Sequence, residues 1–178
     1  MMDLLDKPVL GIAIVLVLAL LDYPLTAIAR SSYQKYMSGF IEYQFLKANS
    51  HSSSWLIWII IKILIAALLY CIWLIYSYGE FKIAGGLYLW LLGFAIGSYF
   101  IINLRHIESI MLSRLYNNSE MVSGKIAYMP RFTLKISAVQ YLSIFLLLSL
   151  VAALLPNYFS LGLACAPLFL AIRNLVLS

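Results

Sequence analysis

The sequence predicts an all-α protein: a polytopic transmembrane helical bundle of about five spans, with its N-terminus outside and its C-terminus cytoplasmic. Three observations predict it. Of 178 residues, 64% are hydrophobic and 11% charged, with a mean hydropathy of +0.96, whereas soluble domains carry roughly 25% charged residues. The apolar residues gather into long runs, and a helix of about 20 such residues crosses a bilayer. Lysine and arginine are distributed unequally between the runs. Arg30, Lys35, Lys47, Arg105, Arg114, Lys125, Arg131, Lys135 and Arg173 follow the first and third runs or close the chain. Only Lys7 and Lys82 flank the other side, and Lys62 lies within a run. The positive-inside rule then fixes the orientation. Five spans satisfy both ends, and four would not. A net charge of +5 would suggest nucleic acid in a soluble protein. Here the basic residues lie between spans, so orientation and anionic membrane lipids account for them, and no nucleic-acid partner is expected.

The first seven residues hold Asp3, Asp6 and one lysine, unlike the basic start of a cleaved signal. The first span is expected at 8–29. Pro8 suits a first helical turn, whereas Pro24 removes an interior hydrogen bond and predicts a kink. The Thr26 hydroxyl can bond back to the Asp22 carbonyl across that bend. Asp22-Tyr23-Pro24-Leu25-Thr26 resembles the D-x-x-L-T of the opening helix in small, uncharacterised prokaryotic multi-pass membrane proteins. That resemblance covers about five residues. It implies a prokaryotic inner or plasma membrane location and no particular activity.

Residues 33–47 carry Tyr33, Tyr36, Met37, Phe40 and Ile41 at helical spacing, which predicts an amphipathic helix at the interface. The second span, 55–77, has aromatic residues at both ends, as membrane interfaces favour. Lys62 interrupts it. Two readings stand: a snorkelling lysine, or an ion-pair partner for Asp22 at the same depth. The third span, 83–103, lies within an apolar stretch that carries Gly86, Gly93 and Gly97 on one face. Gly93 and Gly97 form a GxxxG, which lets helix backbones approach closely. That face predicts packing within the chain, or a homo-oligomer or membrane-protein partner. The helix is expected to continue beyond residue 103 within a cytoplasmic segment of 104–130. Residues 125–136 alternate like a strand, but a loop and then a helix starting near Pro130 is the preferred reading. The fourth span, 131–155, has Gln140 as its main polar residue. Pro156-Asn157 makes a turn, and 158–176 is the fifth span. Cys71 and Cys165 are expected to be buried free thiols. All of this is one integral membrane domain.

Charged and polar residues inside membrane spans are functional candidates by default. Asp22, Thr26, Lys62, Asn103, Gln140 and Arg173 fall in one half of the predicted bundle and would line a solute pathway. Arg105, His106, Glu108, Arg131 and Lys135 stand at the headgroup level, where they would meet lipid phosphate or a ligand. No P-loop, dinucleotide fingerprint, zinc-protease or nucleophile-elbow motif occurs. No catalytic residue, metal or cofactor is expected. A channel or transporter component is the first functional reading. An accessory subunit of a membrane complex is the second, and an enzyme acting on lipid-soluble substrates the third.

Overall fold

The computed structural model describes residues 4–37, 41–43, 55–79, 81–115, 126–128 and 130–178. Among them are α1 (Pro8–Ser32), α2 (Trp55–Gly79), α3 (Lys82–Leu115), α4 (Pro130–Leu154) and α5 (Tyr158–Val176). All five are long and apolar enough to cross a membrane. Their outward faces carry residues such as Val9, Leu64, Leu146 and Leu154, each more than 60% exposed, which suits lipid and not water. The chain is an all-α integral membrane protein.

The longest helix, α3, has 34 residues and is the hub. It packs most extensively on α5, then on α1 and α2, while α4 packs chiefly on α5. The centre of the α1–α3 contact is closed by Val15, Tyr88 and Leu92, all fully buried. A second apolar cluster joins Ile101 of α3, Tyr141 of α4 and Leu170 and Ala171 of α5.

The glycine face of α3 meets α5 inside the chain. A side chain at Gly93 would collide with the Phe159 carbonyl oxygen, and one at Gly162 with that of Trp90. Each glycine therefore lets the other helix's backbone come into contact. Gly97 faces Leu163 and Ala166, and Gly86 faces Tyr158. Within the chain, α5 is seated on this face.

The helix ends follow from local chemistry. Pro8 and Pro130 occupy first turns, where a missing N–H costs little. The α5 start is a capping box, with the Asn157 side chain accepting from the Ser160 N–H at 2.9 Å and the Ser160 hydroxyl accepting from the Asn157 N–H at 3.3 Å. Helix α1 continues through Pro24, and Thr26 Oγ1 donates to the Asp22 carbonyl at 2.8 Å.

Three expectations need correction. The interfacial helix over 33–47 is not one helix. Tyr33–Met37 is a π-helical turn continuing α1, and Ile41–Tyr43 (β1) is a strand. The intervening and following residues of that segment lie outside the described residues. The β-branched and aromatic residues at 41 and 43 suit a strand. Ile126–Tyr128 (β2), expected as loop, pairs parallel with it, Ile41 opposite Ile126 and Tyr43 opposite Tyr128. The pairing ties the segment after α1 to the segment before α4. Finally, both cysteines are free but neither is buried: Cys71 is exposed and Cys165 half-buried. Cys71 lies on α2, which gives the core only one edge.

Candidate functional site

At the end of the bundle where α1 and α3 leave and α4 begins, a cleft of about 360 Å³ opens between α3, α4 and α5. Its walls follow helical periodicity. Ile102, Arg105, His106 and Ser109 share one face of α3 at i, i+3, i+4 and i+7. Thr133, Ser137 and Tyr141 recur every four residues on α4, with Leu134 beside them, and Arg173 and Asn174 come from the last turn of α5.

Arg105 organises this cleft. One terminal nitrogen donates to the Tyr141 hydroxyl at 2.6 Å, the other to the Ser137 hydroxyl at 2.8 Å. Its guanidinium also lies 5.0 Å from the centre of the Tyr141 ring, a cation–π distance. Arg173 touches Asn174 Oδ1 at 3.5 Å. Among the described residues, no aspartate or glutamate lines the cleft. Two arginines, a histidine and several hydroxyls thus share one space.

His106 joins this cleft to α1. Its Nε2 lies 3.2 Å from Asp22 Oδ1 and 3.0 Å from Thr26 Oγ1. Next to it, Asn103 is buried and donates to the Leu18 carbonyl at 2.8 Å, while its Oδ1 has no hydrogen-bond partner.

The expected Asp22–Lys62 salt bridge is not formed, although the lysine's charge still bears on the carboxylate. Asp22 takes His106 as its partner. Lys62 Nζ donates to the Tyr99 hydroxyl at 3.0 Å and lies over the rings of Tyr99 and Trp58, at 4.3 and 5.2 Å. An aromatic cage and a hydroxyl hold the ammonium there, so it neither snorkels freely nor meets a carboxylate.

Of the expected pathway residues, only Arg173 lines the cleft. Asp22 and Thr26 contact His106 behind it, and Asn103 serves the α1–α3 contact. Gln140 is exposed on α4, one residue off the cleft face. From the headgroup-level group, Arg105 and His106 line the cleft. Glu108, Arg131 and Lys135 are exposed and do not.

Sequence reasoning missed Ser109, Thr133, Ser137, Tyr141 and Asn174. The four-residue spacing of Thr133, Ser137 and Tyr141 was the available signal. Among the described residues, no group of three or more His, Cys, Asp or Glu is placed to hold a metal. The lining can donate hydrogen bonds and positive charge to an anion. No family model, curated protein or solved structure matches this chain.

Proposed function

We propose that this protein is a transport component of a prokaryotic plasma membrane, and that the cleft is its solute-entry vestibule. The supporting observation is the asymmetry of the bundle. A cleft lined by two arginines, a histidine and several hydroxyls opens at one end between α3, α4 and α5, while toward the other end α3 and α5 close on each other, backbone against backbone, at Gly93 and Gly162. A site open to one side and sealed toward the other suits a carrier caught in one of its access states. The distribution of basic residues supports an open end on the cytoplasmic side and an N-terminus outside.

The test is flux. Purified protein in liposomes should move labelled small anions above the rate of protein-free vesicles, and Arg105→Gln should lower that rate. Absence of flux for anions, cations and neutral solutes alike, with the protein correctly inserted, would reject the transport reading. A second protein copurifying in fixed ratio would then favour the accessory-subunit reading.

A further inference from the structure

We infer that the cleft between α3, α4 and α5 binds a phosphate-bearing anion, gripped by Arg105 and Arg173 and by the hydroxyls of Ser137 and Tyr141. The inference rests on the transport reading's own cleft and adds the class of ligand. Arg105 has unspent donors. A guanidinium carries five N–H donors, and two from Arg105 are taken by neutral hydroxyls. Among the described residues neither arginine has an acidic partner. A partly buried charge held only by neutral groups keeps most of its desolvation cost, which an anion in the cleft would offset.

The two hydroxyls add to this. Tyr141 is 3% exposed and Ser137 7%. Both oxygens already accept from Arg105, and among the described residues neither hydroxyl donates a hydrogen bond. Buried hydroxyls normally spend both capacities. With Arg105 as donor to each, their protons remain available for a ligand oxygen.

The donors arise from three helices, so they approach from different sides. A tetrahedral phosphate offers three or more acceptor oxygens to such a set, whereas a planar carboxylate offers two. Paired N–H groups of arginine match phosphate in the same way. The volume of about 360 Å³ lies at the small end of ligand sites. It leaves room for an organic remainder beside the phosphate. That phosphate can belong to a soluble ester or to a lipid headgroup, and the experiment separates the two.

The full chain in non-ionic detergent is titrated with inorganic phosphate at constant ionic strength, with chloride and succinate as controls, and thermal unfolding is followed. In parallel, nanodiscs of phosphatidylglycerol are compared with phosphatidylcholine. A rise in melting temperature with phosphate identifies a soluble ligand, and a rise with phosphatidylglycerol alone identifies a headgroup. In either arm Arg173→Gln should weaken the response about tenfold or more, the loss of one charge-assisted hydrogen bond. Arg173 is exposed, and among the described residues its side chain hydrogen-bonds only Asn174, so that variant should fold. Lys135→Gln, outside the cleft, should respond like the parent. The inference is overturned if neither probe stabilises the protein, if succinate equals phosphate, or if Arg173→Gln and Arg105→Gln both respond like the parent. Binding without flux would uphold the phosphate site and remove only the transport reading.

Discussion

Replacing Gly93 by alanine sets two effects against each other. Alanine favours a helix interior over glycine by about 0.8–1.0 kcal/mol, so α3 alone would gain stability. In the folded chain the new Cβ would collide with the Phe159 carbonyl oxygen, and would lie 3.0 Å from that carbonyl carbon and 3.1 Å from the Leu163 nitrogen. All three are backbone atoms of α5 and cannot rotate aside, so the helices must separate. Overpacking of this kind costs about 1–3 kcal/mol, and a backbone obstacle belongs at the upper end. We expect Gly93→Ala to destabilise the protein by about 1–2 kcal/mol net of the propensity gain. Gly11→Ala is the control, because its Cβ would meet the Leu92 methyl at 2.8 Å, the tip of a side chain that can shift. Its net effect should stay within about 1 kcal/mol. Unfolding by SDS in mixed micelles, followed by circular dichroism, measures both. If Gly93→Ala proves as stable as the parent or more so, the close α3–α5 seam is refuted.

Gly162→Ala meets the Trp90 carbonyl from the opposite side, so combined with Gly93→Ala it should cost less than the sum, because one separation relieves both collisions; additive losses would place the two glycines in independent contacts. Tyr99→Phe should cost about 0.5–1.5 kcal/mol by removing the acceptor of Lys62, and Lys62→Met should make that cost vanish; an unchanged penalty would show that the Tyr99 hydroxyl matters for another reason. Asp22→Asn and His106→Gln should each destabilise the protein and couple by about 0.5–3 kcal/mol in a double-variant cycle, with zero coupling counting against the pair. A reporter fused after Ser178 should be active only in the cytoplasm and one before Met1 only outside, and reports from one side for both would overturn the orientation.

The fold was legible because lipid imposes simple rules. Run length gave the helices, and basic residues between runs gave the expected orientation. The back-bond from Thr26 to the Asp22 carbonyl was legible too, being set by a four-residue separation within one helix. The glycine face of α3 could be seen in the spacing of Gly86, Gly93 and Gly97, but its partner could not. Tertiary placement failed for a geometric reason. Counting residues fixes how deep a side chain lies, at about 1.5 Å per residue, and says nothing of its rotation relative to other helices. Lys62 and Asp22 were matched by depth, yet Lys62 turns to Tyr99 and Asp22 to His106. Gln140 attracted notice as the one amide in its span. A step of one residue rotates a helix by about 100°, and that step separates exposed Gln140 from Tyr141 on the cleft wall. Ser137 and Tyr141 leave little mark on the sequence, because hydroxyls in an apolar run scarcely alter its hydropathy.

The two halves of α3 are held by different forces, and that difference positions the cleft. At Gly93 and Gly97 the backbone of α3 meets that of α5, and at Gly86 it meets the Tyr158 ring. Beyond Ile101, α3 turns successive residues toward different neighbours. Asn103 and His106 bond to α1, and Arg105 bonds to α4. Hydrogen bonds through long side chains hold helices farther apart than glycine does, and the space that results is polar. Lipid supplies no hydrophobic drive to close such a gap, because its chains are as apolar as the residues they would replace. The cleft therefore opens where the small residues end and arginine, histidine and hydroxyls begin. His106 belongs to both structures, lining the cleft while its ring nitrogen meets Asp22. Any ligand that draws on His106 competes with the contact that holds α1 to this end of the bundle.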